Sequence, residues 1–155
     1  MFQDLSSIQQ FSTQIREGKL RITDAVERYL SNVNERNTEL NIVVKGFDDE
    51  ARNRAEALDQ ELRHGKDRGP MHGVPIAVKD IFAMTGCLPA AGSGAEIKCG
   101  DKDAAVIRKL KASGAIILGT LNLDEFAAGG TERLKRKAIV GRFAARALTA
   151  LSVRA

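Results

Sequence analysis

The sequence predicts an α/β fold, with a mixed, largely parallel sheet and covering helices. Residues 74–78 (VPIAV) and 115–118 (AIIL) are apolar runs of strand length, as expected for strands that are buried on both faces. Residues 103–112 lie between them and have the apolar periodicity of a helix. A strand, a crossover helix and a second buried strand indicate parallel pairing with a right-handed connection.

The chain before the first of these strands predicts two helices, a strand and a third helix. Residues 5–17 have apolar side chains at helical spacing and are followed by Gly18, which ends the helix. The second helix is expected to begin with Thr23 as its N-cap. Residues 40–44 (LNIVV) have the length of a strand, and residues 48–63 form a charge-rich helix with a narrow apolar stripe.

Three residues near the predicted strands have a specific expected position. Pro75 has no N–H to give to a neighbouring strand, so it is expected at the start of the first strand. Gly114 follows the helix of residues 103–112 as its C′ residue. Phe126, after the second strand, is expected to belong to the core. Both strands are expected to be central in the sheet, so that other parts of a larger domain would cover their edges.

Lys79 is the candidate catalytic residue. It follows the buried run at residues 74–78, and ligands of open α/β sheets bind at the carboxyl ends of the strands. Partial burial there disfavours the ammonium form, and a neutral lysine amine can act as a general base. The alternative from the residues alone is a solvated lysine, with Asp80 capping the next turn.

Composition argues for a cytoplasmic globular protein, and the spacing of the cysteines predicts no metal site. The chain has 155 residues, 43% of them hydrophobic, which suffices for the core of one domain. Cys87 and Cys99 show no metal-type spacing and are interpreted as free thiols of a reducing compartment. The sequence has neither a signal peptide nor an apolar run long enough for a membrane span.

The positive net charge does not favour a nucleic-acid partner. Residues 132–155 contain seven Lys or Arg and one Glu, whereas the remaining residues contain 17 basic and 19 acidic side chains. The basic character therefore belongs to the tail. Tryptophan is absent and aromatic residues make up only 5% of the chain, so no aromatic platform for single strands is predicted.

Three segments, in the same order and at similar separations, resemble the amidase signature family. GPMHGVPIAVKD at residues 69–80 is similar to the family's G-P-L-x-G-x-P-x-x-V-K-D run, in which the lysine is catalytic, and Lys79 matches that lysine. AAGSGA at residues 90–95 looks like the family's Gly-Ser segment. Residues 103–130 resemble the helix, strand and loop that follow. The resemblance implies a Ser-cisSer-Lys amidase that uses no cofactor, with Gly92 and Ser93 lining the site of a small amide substrate.

The resemblance ends after Thr131. The family continues into a Gly/Ser-rich stretch that carries a bridging serine and the nucleophilic serine, whereas residues 132–155 read ERLKRKAIVGRFAARALTALSVRA. The sequence therefore predicts an N-terminal amidase portion at residues 1–131 and a divergent basic tail at 132–155. This chain carries the lysine but neither serine of the triad, so no nucleophile is assigned and the chain alone is expected to be inactive.

Three functional hypotheses remain open from the sequence. The first is the N-terminal part of an amidase. The second is the start of the related glutamyl-tRNA amidotransferase A subunit, which works with partner subunits. The third is a non-catalytic binding fragment whose basic tail forms an interfacial helix, although an out-of-frame translation explains the same tail composition. Unpaired strand edges predict self-association or a partner subunit.

Overall fold

The computed structural model describes residues 7–93, 95–98 and 102–128. The elements are α1 (Ile8–Arg16), α2 (Ile22–Leu40), β1 (Val43–Gly46), α3 (Asp48–Arg63), β2 (Pro75–Lys79), α4 (Ala105–Ala112), β3 (Ile116–Leu121) and a 3-10 turn (Glu125–Ala127). The predictions for Cys99 and for residues 132–155 concern positions outside these described residues.

The three strands form one mixed sheet in the order β1-β3-β2, which confirms the predicted fold class. β2 pairs with β3 in parallel, as the sequence predicted, and β1 pairs with β3 antiparallel. All six residues of β3 are buried. Within the described part of the chain β2 lies at an edge of the sheet, and its central place in a larger sheet stays a prediction.

Helices cover both faces of this sheet. α2 and α3 pack on one face through a cluster that includes Leu30, Leu58 and Ile116, all of which are almost completely buried. On the other face Ile107 of α4 packs against Ile117 and Val78. Full burial of one such side chain stabilises the fold by about 1.5 to 3 kcal/mol. Among the described residues, no helix is both long and apolar enough to cross a membrane.

Helix α2 is capped by a residue of another helix. The carboxylate of Asp59 in α3 accepts hydrogen bonds from the backbone N–H groups of Ile22 at 3.0 Å and Thr23 at 3.1 Å. The helix begins at Ile22, so the prediction that Thr23 is its N-cap is wrong. A negative carboxylate satisfies two free N–H groups and interacts favourably with the positive end of the helix. The Thr23 hydroxyl is buried and has no hydrogen-bond partner among the described residues.

The first strand begins later than the sequence predicted. α2 continues to Leu40 and is ended by Asn41, whose φ of 47° is left-handed. The side-chain oxygen of Asn37 then accepts hydrogen bonds from the N–H groups of Ile42 at 2.9 Å and Val43 at 2.7 Å. These bonds turn the chain, so β1 begins at Val43 rather than at residue 40.

The loop before β2 is fixed by His72, which is completely buried. Its Nδ1 accepts a hydrogen bond from the Arg68 N–H at 3.1 Å, and its Nε2 lies 3.0 Å from the Leu58 carbonyl oxygen, to which it can donate. Pro75 is the first residue of β2, as predicted. The loop is therefore tied to α3, which determines where β2 starts and hence where its last residue lies.

Candidate active site

Lys79 is the last residue of β2 and lies beside the end of β3. Its Cα is paired with that of Leu121, the last residue of β3. The partly buried side chain donates a hydrogen bond from Nζ to the Asn122 carbonyl oxygen at 2.8 Å. The amine thus lies at the carboxyl ends of two parallel strands, which is the position that the sequence predicts for the candidate base.

Asp80 joins Lys79 to the loop that contains Gly92 and Ser93. Its side chain is only 4% exposed, and one carboxylate oxygen accepts a hydrogen bond from the Ala90 N–H at 3.0 Å. The Asp80 carbonyl oxygen accepts a second bond, from the Ala91 N–H at 2.9 Å, while the Asp80 N–H donates to the Leu121 carbonyl at 3.0 Å. These three bonds fix residues 90–91 against the ends of both β2 and β3.

Sequence reasoning did not find this role of Asp80, which was considered only as a cap for the following turn. A carboxylate buried this deeply needs hydrogen-bond donors, and here the backbone N–H of Ala90, ten residues away, supplies one. The only available signal was the acidic residue directly after an apolar run, which does not identify the segment that it contacts.

Gly92 lies where this loop meets the segment after β3. Its φ is +71°, and a Cβ built on it would lie 2.7 Å from the Leu123 carbonyl oxygen and 3.1 Å from the Glu125 nitrogen. Only glycine allows both this conformation and this close approach. The two segments are also joined by a hydrogen bond from the Phe126 N–H to the Ala91 carbonyl at 2.7 Å.

Left-handed backbone is concentrated at this contact. Of the four non-glycine residues with positive φ among the described residues, three lie here: Ala91 at 47°, Phe126 at 51° and Ala127 at 57°. Such conformations cost on the order of 1 to 3 kcal/mol each and cluster at functional sites. Phe126 is 63% exposed, so the expectation that it belongs to the core is wrong. Its left-handed conformation occurs in the 3-10 turn that follows β3.

The Ser93 hydroxyl is engaged in its own turn. It donates to the Ala90 carbonyl oxygen at 2.7 Å and lies 3.3 Å from both the N and the carbonyl O of Ala95. No hydrogen bond links it to Lys79 among those of the described residues. The structure therefore brings the Ser93 loop to the sheet end that carries Lys79, with the hydroxyl used in local contacts.

An apolar cleft lies away from this sheet end. A cleft of about 330 Å³ separates the second half of α2 from the sheet, and its apolar lining includes Leu40, Ala77 and Leu121. Lys79, Gly92 and Ser93 are not among its lining residues. Burial raises the pKa of Tyr29, which also lines the cleft, above the ordinary value. An apolar cleft without the candidate base gives no reason to place the chemistry there.

The described residues contain no group of three or more His, Cys, Asp or Glu side chains that could hold a metal ion. Cys87 is a free thiol, as predicted, and is buried against the α4 side of the sheet.

Comparison with known proteins decides the family. The family model described as Amidase matches residues 24–135, which is most of the chain. The chain belongs to the amidase family. The match includes Lys79, Asp80 and Gly92, and thus the whole arrangement at the ends of β2 and β3.

The family relatives are much longer than this chain. An amidase of Pseudomonas putida is 32% identical over 123 residues, which cover 79% of this chain and 26% of that enzyme. The glutamyl-tRNA(Gln) amidotransferase A subunit of Chlorobium chlorochromatii is 38% identical over 136 residues, covering 82% of this chain and 27% of that protein. The chain therefore spans about a quarter of the length of these relatives.

Solved structures support the same assignment. The structure of native peptide amidase from Stenotrophomonas maltophilia matches with a TM-score of 0.73 and 30% identity, over 79% of this chain and 26% of that one. The predicted resemblance to the amidase signature family is thereby confirmed, together with the α/β fold class.

Proposed function

We propose that this chain supplies the lysine general base of an amide-hydrolysing site and that residues outside these 155 supply the nucleophile. The single observation that carries the proposal is Lys79 itself, at the end of β2 with Nζ 2.8 Å from the Asn122 carbonyl oxygen. By its resemblance to the family motif Lys79 matches the catalytic lysine, and it lies within residues 24–135, which match the amidase family.

The hydrogen bond to Asn122 gives the amine a direction. A neutral lysine amine has two hydrogens and one lone pair. When one hydrogen is donated to the Asn122 carbonyl, the lone pair must point away from that oxygen. Lys79 can then accept a proton from a hydroxyl that approaches from the open side of the sheet end.

In the proposed reaction, as the family resemblance implies, Lys79 accepts the proton of a nucleophilic serine through a bridging serine. The serine oxygen attacks the amide carbonyl, and the proton is passed to the leaving nitrogen. Water then hydrolyses the acyl-enzyme. Gly92 and the Ala90–Ala91 backbone shape the wall beside the amine, and neither a cofactor nor a metal has a role.

A chimera tests this role of Lys79. Residues 1–130 of this chain replace the matched segment of the P. putida amidase, and hydrolysis of a small amide is measured by ammonia release. We expect activity in the chimera and a fall in kcat of at least about 100-fold for Lys79→Met, because general-base catalysis typically contributes 10² to 10⁴-fold. Lys66→Met is the matched control, since the Lys66 side chain is 62% exposed and pairs with Glu61 on the surface.

Two results would overturn the proposal. One is a chimera that folds and hydrolyses the amide equally well with Lys79→Met. The other is amide hydrolysis by the purified 155-residue chain that depends on Lys79, because the proposal assigns the nucleophile to residues outside it.

A second candidate function is the same half-site in an amidotransferase A subunit. The identity of 38% to the C. chlorochromatii protein favours it. In that case glutamine is the amide substrate and partner subunits are required. Placing residues 1–130 in that protein and comparing ammonia release from glutamine with release from simple amides separates the two candidates.

Two further assignments remain predictions. One is the boundary that separates a family portion at residues 1–131 from a basic tail at 132–155. The other is the cytoplasmic location. Attachment of the tail to anionic vesicles that weakens as salt is raised would support the binding hypothesis for the tail.

A further inference from the structure

Asn122, whose carbonyl accepts the hydrogen bond of Lys79, also has a side chain that is hydrogen-bonded at both of its polar atoms. Its Oδ1 accepts a hydrogen bond from the Leu123 N–H at 2.9 Å. Its Nδ2 donates to the Asn41 carbonyl oxygen at 3.2 Å. A backbone N–H can only donate and a carbonyl can only accept, so these two partners fix the orientation of the Asn122 amide. The side chain thus connects the segment after β3 with the end of α2.

The bond to Leu123 acts on the same peptide group that contacts Lys79. The Asn122 carbonyl and the Leu123 N–H are the two ends of one planar peptide group. The carbonyl end accepts from Lys79 Nζ at 2.8 Å, and the N–H end donates to the Asn122 Oδ1. Because the group is planar, turning its N–H away from Oδ1 would also carry the carbonyl oxygen away from Nζ. A hydrogen bond at the N–H end also polarises the group and strengthens its carbonyl as an acceptor.

The segment that accepts the Asn122 amide is itself fixed by hydrogen bonds. Asn41 ends α2, and its N–H donates to the Asn37 carbonyl at 2.8 Å. The Asn37 side chain bonds to both the N–H and the carbonyl of Val43, at 2.7 and 2.9 Å. The Asn122 N–H donates to the Ile42 carbonyl at 2.7 Å. The Asn122 side chain is therefore anchored on a part of the backbone that has a defined position.

We propose that Asn122 is a positioning residue for the general base, because its side chain orients the peptide group that directs the Lys79 amine. This inference rests on the proposed function. The role requires one acceptor and one donor on a short side chain. Alanine has neither, and an ionised aspartate keeps the acceptor but has no donor for the Asn41 carbonyl. Displacing a catalytic group by about 1 Å can lower a rate by about 100-fold, so a small rotation of this peptide group is sufficient.

The chimera that tests Lys79 also tests Asn122. Asn122→Ala and Asn122→Asp should each lower kcat at least about tenfold and leave KM within about twofold, because a displaced base slows proton transfer rather than binding. In the Lys79→Met chimera neither substitution should lower kcat further, since Asn122 acts through the amine. Asn34→Ala is the matched control and should leave kcat unchanged. Asn34 is an exposed residue of α2 whose side-chain amide donates to the Asp48 carboxylate at 3.3 Å.

A measurement on the full 155-residue chain needs no catalytic activity. Its lysines are briefly acetylated with acetic anhydride, and mass spectrometry compares the labelling of Lys79 with that of Lys66, whose side chain is 62% exposed. Asn122→Ala should raise the ratio of Lys79 to Lys66 labelling at least about twofold, because an amine released from its carbonyl partner is more accessible to the reagent. Asn34→Ala should leave this ratio unchanged.

The positioning role is rejected by any of three results. One is a kcat that is unchanged in both Asn122 variants, or that falls by the same factor in the Lys79→Met chimera. Another is unchanged labelling of Lys79 in the full chain. The third is loss of the folded protein in both variants, which would assign the side chain to stability alone. Failure of the proposed function is distinguishable, because Lys79→Met would then leave kcat unchanged while Asn122→Ala still raises the labelling of Lys79.

Discussion

Replacing Gly92 by alanine should break the contact between the loop of residues 90–93 and the segment after β3. The new Cβ would lie 2.7 Å from the Leu123 carbonyl oxygen, 3.1 Å from the Glu125 nitrogen and 3.2 Å from the Asp124 carbonyl carbon. All three are backbone atoms, which cannot turn away as a flexible side chain does. The loop has to shift, and the hydrogen bond from Phe126 N to Ala91 O is the first expected loss.

The size of the effect follows from two contributions. A left-handed conformation costs a non-glycine residue about 1 to 2 kcal/mol, and steric overlap in a packed region costs about 1 to 3 kcal/mol. Gly86→Ala is the control that separates them, because the φ of Gly86 is +72° and its Cβ would meet nothing within 4 Å. Gly92→Ala should therefore lower the free energy of unfolding by about 1 to 3 kcal/mol more than Gly86→Ala.

Urea unfolding curves of the two variants measure this difference. Amide hydrogen exchange locates it, since the Phe126 N–H should exchange faster in Gly92→Ala and be unchanged in Gly86→Ala. Equal destabilisation by both substitutions, with unchanged exchange at Phe126, would refute the reasoning that backbone contact requires a glycine at position 92.

Three further predictions concern the scaffold around the site. Asp59→Ala should lower the free energy of unfolding by about 1 to 2 kcal/mol, because α2 loses the acceptor of two N–H groups. Glu56→Ala, also in α3, is the control and should change it little. Thermal unfolding measures both variants. Hydrogen bonding to Arg68 lowers the pKa of Glu61 from 4.5 to about 2. Above pH 4.5 the ionised Glu61 therefore contributes about 1 to 2 kcal/mol to the free energy of unfolding, after solvent screening. This contribution is lost as the pH falls towards 2. Urea titrations at several pH values should show it in the unmodified chain and not in Glu61→Gln. His72→Ala should cost about 2 to 4 kcal/mol in urea unfolding, because it removes the acceptor of the partly buried Arg68 N–H and opens a cavity.

The sequence predicted the elements whose signal is local. Residues 48–63 were expected to be helical and the structure has α3 at Asp48–Arg63, because the apolar stripe and the acidic first turn both lie within the segment. Pro75 likewise marked the start of β2, since a residue without an N–H is confined to few positions in a sheet. Both features depend on neighbours close in the chain.

The errors came from contacts between residues far apart in the chain. Thr23 had the chemistry of an N-cap, but the cap of α2 is Asp59, which is 36 residues away and belongs to another helix. Phe126 had the side chain of a core residue, but its backbone N–H bonds to the distant Ala91 carbonyl and the residue is 63% exposed. Neither relation leaves a periodic trace in the sequence, so pattern and propensity could not reveal it.

The candidate site explains why a short motif was more informative than periodicity. Its framework consists largely of main-chain atoms: Nζ of Lys79 bonds to a backbone carbonyl, and the loop at Ala91 is held by backbone bonds on both sides. Main-chain contacts of this kind are compatible with many side chains. The chemistry and the packing therefore restrict only a few positions, above all Lys79, Asp80 and Gly92. A signal concentrated in a few residues at fixed separations is weak as periodicity and strong as a motif, and all three residues lie within the segment that matches the amidase family.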